Sequence, residues 1–322
     1  MDAEDKILIT VDVEDWFMVE NLRSAISGTS WSSLNTRVEN NVLRLLDLFD
    51  ELAPLNRYSK INCTFFILGW IAERFPQLVE EIHNRGHEAA SHGYGHSLCN
   101  SLSAKELKAD LLKSRQLLED ITGKSVSGYR APNFSINDTV LKTIEESGYS
   151  YDSSFNSFSG HGRYGIIDVD SYRKKGVLFQ ISETFAELPL SNILLENPVK
   201  GILKGINKKT GNRHSAAPGK DNKIIIPWSG GGYFRLFPYF IFRMGVEKIL
   251  KTDGVYIFYL HPWEIDPDQP RISNIPISYK FRHYINLDKT YGRLKKFIMD
   301  NKNRYFSRCD EFISLMTAKK KP

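Results

Sequence analysis

Short apolar runs alternate with helix-spaced segments at least four times in the first half of this 322-residue chain, and few folds accommodate that order. Ile7, Leu8, Ile9 and Val11 make the first run; residues 61–68, 87–91 and 125–129 make the next three. Between them, residues 35–52, 70–85, 103–121 and 137–147 read as helices. Pro54 closes the first helix, Gly86 is placed to cap the second, and Ser103 with Glu106 forms a capping box for the third. Runs so short and apolar are strands buried on both faces, the mark of a parallel sheet. Right-handed crossovers then leave a doubly wound sheet or a barrel.

The unusual residues fall just after these strands. Asp12, Glu14 and Asp15 follow the first, His92 and His96 the third, and Arg130 the fourth. A barrel gathers such positions on one face, where active sites form. Three carboxylates at the end of a buried strand are costly without a positive partner. Arg130 is one candidate partner. A metal ion is another, because two imidazoles with a carboxylate suit zinc-like ions and three protein ligands leave a position for water. Gly93 and Gly95 put the two histidines on a loop.

The second half is less regular. Residues 177–190 read as one or two strands, and residues 200–223 hold seven Lys or Arg without apolar periodicity, as an exposed loop does. Ser229 to Arg235 reads as a glycine-rich turn before a helix over 238–251. Residues 255–260 form a last buried strand ending in His261, and 287–299 an amphipathic helix. Cys63, Cys99 and Cys309 are far apart and form no CxxC pair, which argues against a disulfide framework or a thiolate zinc site. A net charge of +5 is mild; it hints at an anionic partner without requiring one, and no nucleic-acid partner is expected. The acidic start is unlike a signal peptide and no run reaches the roughly 20 apolar residues of a membrane span. The expectation is a cytoplasmic protein with at most peripheral membrane contact.

Several motifs in one order make a more specific pattern. They are Asp12-Val-Glu-Asp-Trp-Phe17, Thr64-Phe-Phe66, Gly86-His-Glu88, Ser91-His-Gly-Tyr-Gly-His96, Tyr129-Arg-Ala-Pro132, Gly230-Gly-Gly-Tyr-Phe-Arg235, His261-Pro-Trp-Glu-Ile-Asp-Pro267 and Arg282-His-Tyr284. Together they resemble the polysaccharide deacetylases of carbohydrate esterase family 4. The likeness is to the branch whose first motif is Asp-Val-Glu-Asp-Trp-Phe, akin to exopolysaccharide-locus, allantoinase-like and Helicobacter-type peptidoglycan deacetylases.

The resemblance implies a distorted or incomplete (β/α) barrel of seven strands, one α/β domain over residues 1–322. A basic insertion is expected at 197–224 and a C-terminal helical extension at 286–316. It implies a metal-dependent hydrolase that removes N-acetyl groups from amino sugars of a cell-surface polysaccharide or its precursor, free or lipid-linked. The rival readings are an allantoinase-like amidohydrolase and a catalytically silent carbohydrate binder.

By the same resemblance Asp12 is the general base, paired with Arg130, and His261 the general acid, with Asp152 or Asp266 as its partner. One divalent metal, zinc by ligand type, is held by His92, His96 and Glu14, with Asp15 as the alternative carboxylate. The backbone N–H of Asn133 faces the oxyanion. Tyr94, Trp263, Arg235 and His161 are the expected sugar contacts.

Overall fold

A computed structural model describes residues 5–158, 164–196 and 223–318. The first half runs β1 (Lys6–Val13), α1 (Val38–Leu52), β2 (Thr64–Ile67), α2 (Gly69–Arg74), α3 (Pro76–Asn84), β3 (Glu88–Ser91), α4 (Ala104–Thr122), β4 (Gly128–Tyr129), α5 (Asp138–Glu146) and β5 (Tyr151–Asp152). Three short strands follow, β6 (Arg173–Lys175), β7 (Leu178–Gln180) and β8 (Ala186–Glu187), then a two-stranded ribbon of β9 (Asn192–Glu196) and β10 (Lys223–Pro227). The chain continues with α6 (Gly231–Leu236), α7 (Tyr239–Asp253), β11 (Val255–Leu260), α8 (Ile277–Tyr284), α9 (Leu287–Asp300), β12 (Tyr305–Phe306) and α10 (Cys309–Thr317).

Among the described residues, β11, β1, β2, β3, β4, β5 and β8 pair in that order and all in parallel, the seven strands expected. Antiparallel β7 and β6 extend the edge beyond β8. Leu8 of β1, Tyr151 of β5, and Val255 and Ile257 of β11 share one cluster with Phe312 of α10. Residues from opposite ends of the strand order meet there only because the sheet curls. The barrel is incomplete, and α10 fills its floor.

Strand periodicity then decides where the chemistry goes. Side chains alternate between faces. Ile7, Ile9, Val11 and Val13 pack outward against the helices, so Leu8, Thr10 and Asp12 share the inner face. Ala90 and Ile257 are inner as well, and their parity carries His92 and His261 to the same mouth.

The α4 capping box forms as read, and Gly123 ends the helix at φ 65°. Three readings need correction. The helix over 70–85 is two helices, because Pro76 has no N–H to continue α2 and starts α3 instead. The glycine-rich turn is the start of helix α6, where Gly231 leaves room for the Glu264 carboxylate that any Cβ would strike. Helix α8 was not read at all, and the helical extension expected over 286–316 is two helices, α9 and α10, with β12 between them. The basic insertion lies almost wholly outside the described residues.

Candidate metal and hydrolytic centre

Glu14, His92 and His96 place one ligand atom each within 4.8 Å of one another, all three buried. Both imidazoles direct Nε2 at the same oxygen, Glu14 Oε1, at 3.0 Å from His92 and 2.9 Å from His96. His92 Nδ1 lies 2.7 Å from the Arg130 carbonyl oxygen. That oxygen only accepts, so Nδ1 carries a proton and Nε2 is the ring atom turned to Glu14. Two imidazole nitrogens and a carboxylate oxygen converging on one point form the donor set of a divalent cation. His96 itself sits at φ 56°, a strained backbone conformation held by its surroundings.

The carboxylates around the site are paired differently. Asp12, Glu14 and Glu264 are three buried carboxylates facing two buried guanidiniums, Arg130 and Arg235. Arg130 Nη1 donates to Asp12 Oδ1 at 2.7 Å, and Arg235 Nε to Glu264 Oε2 at 2.7 Å. Glu14 is left with imidazoles alone. Burial works against its charge, yet His96 and His261, with hydrogen bonds from His92 and His96, hold its carboxyl well below the usual range. The donor set therefore fits a divalent cation, with Glu14 as the carboxylate. Asp15 is excluded: its oxygens accept from the backbone N–H of Trp16, Arg37 and Val38 at 2.8, 2.7 and 3.1 Å, which caps the start of α1.

Arg130 is fully buried and spends its guanidinium on Asp12, Thr10 Oγ1, Ser153 O and Ser153 Oγ, lying flat over Phe66. This fixes Asp12 with Oδ2 toward His261, whose Nε2 is 4.0 Å away; the same Nε2 is 3.8 Å from Glu14 Oε1. On its other side His261 Nδ1 meets Glu264 Oε1 at 2.9 Å. Burial lowers the His261 pKa, but Glu14, Glu264 and Asp12 together raise it to about 9. Burial likewise disfavours the Glu264 charge, and Arg235 with His261 outweighs it, bringing Glu264 down to about 2.

Neither expected partner of His261 serves. Asp266 is held by Arg37 and Asn41, and Asp152 by Ser154 and the neighbouring Glu187. Glu264 was missed, although its spacing of three from His261 and the intervening Pro262 form a one-turn capping box that the sequence displays.

The sugar contacts fare less well. Tyr94 is not on the cavity: it covers Gly69, donates to Glu73 at 2.8 Å and lies under Lys113. Trp263 lines the cavity, but its indole is sandwiched between His261 and His283, so no face is open for a sugar ring. Arg235 is buried and turns four of its five N–H groups inward, Nε to Glu264 and Nη1 and Nη2 to the carbonyls of His283, Ile285 and Arg282, so its main role is structural. His161 lies outside the described residues. Asn133 does line the cavity, in left-handed backbone at φ 52°, and its buried Nδ2 has no partner among the described residues.

The cavity encloses about 340 Å³ and is floored by Asp12, Glu14, His92, His96 and His261. Its outer wall is apolar, with Val19, Leu236, Phe281 and Ile285. A base-and-acid pair beside a three-ligand cation site, at the mouth of a parallel barrel, is the arrangement of a metal-assisted hydrolase.

Comparison with known proteins agrees. Residues 47–151 match the polysaccharide deacetylase family and residues 219–314 match a domain of unknown function, DUF3473. The peptidoglycan deacetylase-like protein FGM2 of Gibberella zeae is 34% identical over 160 residues, 48% of this chain and 44% of that protein. The peptidoglycan deacetylase of Helicobacter pylori is 33% identical over 138 residues, 42% of this chain and 44% of its own. The chain thus spans less than half the length of these relatives. A crystal structure from Mycobacterium smegmatis described as a polysaccharide deacetylase covers 100% of this chain and 96% of its own at 17% identity, with a TM-score of 0.59, and supports the fold. The polysaccharide deacetylase match covers residues 47–151 of this chain and not the whole of it. The site draws on both matched stretches, because His92, His96 and Arg130 lie in the first and Arg235, His261 and Glu264 in the second.

Proposed function

We propose that this protein is a metal-dependent N-deacetylase acting on amino sugars of a surface polysaccharide or its precursor, free or lipid-linked, with zinc as the ion. The observation that carries it is the single cluster of Glu14, His92 and His96 with Asp12 and His261 both within about 4 Å of its carboxylate edge or of each other. The similarity to peptidoglycan deacetylases supports an N-acetylated glycan as the substrate class.

An amide is a weak electrophile with a poor leaving group. A cation held by Glu14, His92 and His96 would polarise the acetyl carbonyl and make a bound water more acidic. Asp12, fixed through Oδ1 by Arg130, accepts the water proton at Oδ2. The Asn133 backbone N–H, at its left-handed turn, faces the developing oxyanion. His261, held through Nδ1 by Glu264, presents Nε2 to the departing amine and protonates it. Glu264 and Arg235 act through His261 and are positioning residues.

The test is acetate release from N-acetylated oligosaccharides, with metal content of the purified protein before and after chelation. Release lost on chelation, restored by zinc and abolished in Asp12→Asn supports the reading. Unchanged release in Asp12→Asn would falsify it, and binding of the oligosaccharide without release would identify a silent carbohydrate binder.

A further inference from the structure

We infer that the apolar rim carried by α6, α7 and α8 docks on an anionic lipid bilayer and turns the cavity mouth toward it. Ile277 and Phe281 stand one turn apart on α8, 83% and 55% exposed, and Leu236 at the end of α6 is 42% exposed. Phe240 and Met244 repeat the spacing on α7, at 66% and 68%. Large side chains this open, paired at helical spacing, are an amphipathic face left without a partner. Leu236 and Phe281 also line the cavity, so the apolar surface begins inside the site and runs outward.

Charge identifies the occupant. Residues 223–246 and 269–287, which supply this rim, contain no Asp or Glu, while they hold Arg243, Arg271, Lys280 and Arg282 besides Arg235, which is buried on Glu264. Exposed Lys248 and Lys251 follow on α7. The next acid, Glu247, is engaged by Arg304 at 2.7 Å, and Glu20 across the mouth pairs with Arg23 at 3.2 Å. Asp300 lies 3.8 Å from Arg243 but is shared with Lys296 at 3.2 Å, so cations still outnumber acids here. Apolar side chains set among an excess of cations suit the boundary of an anionic bilayer, where burial and lipid charge add. A second copy of the chain fits poorly, since a two-fold contact would set this positive rim against itself.

The inference deepens the deacetylase reading by giving the substrate a membrane-carried form, and its test needs no turnover, so the two fail separately. The full chain is sedimented with phosphatidylcholine vesicles, with and without phosphatidylglycerol. Binding is expected only with the anionic lipid, falling at least about tenfold in Phe240→Ser/Met244→Ser and in Ile277→Ser, and falling again at high salt. Release of acetate from a short soluble substrate stays unchanged in these variants. No binding to anionic vesicles, or equal binding by the variants, overturns the proposal. So does a wild-type dimer that these variants dissociate while neither binds vesicles, which would assign the face to a second copy.

Discussion

Replacing Arg235 by Met removes one charge from a pair that is almost wholly buried, with side-chain exposures of 2% and 1% for Arg235 and Glu264. Glu264 falls from an ordinary 4.5 to about 2 in the fold, a preference for the charged form of roughly 3 kcal/mol at 1.36 kcal/mol per unit. Breaking a buried pair from one side costs about 3–5 kcal/mol, because the remaining charge stays desolvated. The carbonyls of Arg282, His283 and Ile285 lose their donor in the same step, so the upper part of that range is expected. The pH dependence carries a sign. A depressed carboxyl stabilises the fold above its unfolded value of 4.5 and loses that contribution as pH falls toward 2. Without Arg235 the Glu264 pKa rises, so the deficit is largest at neutral pH and shrinks as pH drops through 4.5. Urea denaturation of Arg235→Met, Glu264→Gln and the double variant across that window measures it. The double variant should lose less than the sum of the singles, since no carboxylate is left stranded. A deficit below about 1 kcal/mol, or one that does not change with pH, refutes the reasoning.

Glu14→Gln and His92→Ala should each abolish metal retention, whereas Asp15→Asn should keep the metal and lose about 1 kcal/mol of stability at the start of α1, both read by elemental analysis beside urea melts. Glu264→Gln should lower kcat for acetate release by about 10²–10⁴-fold with little change in KM, as expected when an imidazole loses the carboxylate that orients it; equal changes in both constants would count against a positioning role. Burial raises Glu88 from 4.5 to about 7, so the stability it lends is full below 4.5 and is lost as pH rises through about 7. Glu88→Gln should flatten that alkaline loss in urea midpoints.

Much of the site was legible because strand periodicity and barrel topology turn sequence position into direction. Asp12 on β1 and Glu14 just past its end, the His92–His96 loop and Arg130 all follow inner-facing positions, and the expected convergence is what the fold delivers. The choice between Glu14 and Asp15 was not legible, since it turns on which carboxylate meets the α1 backbone N–H groups, a tertiary matter. Tyr94 and Trp263 misled for a related reason: an aromatic beside a motif is packed wherever neighbours offer ring faces, here Gly69 with Lys113 and two imidazoles. Helix α8 escaped reading because its apolar residues Ile277 and Phe281 face outward, so no core periodicity marks it.

The neighbours of β1 come from distant parts of the chain, β2 at Thr64 and β11 at Val255. A growing polypeptide therefore owns every ligand of the cation cluster well before it owns His261. During synthesis the ion site can assemble first and the proton donor last, so a chain stopped short of β11 would be a metal binder with half a reaction.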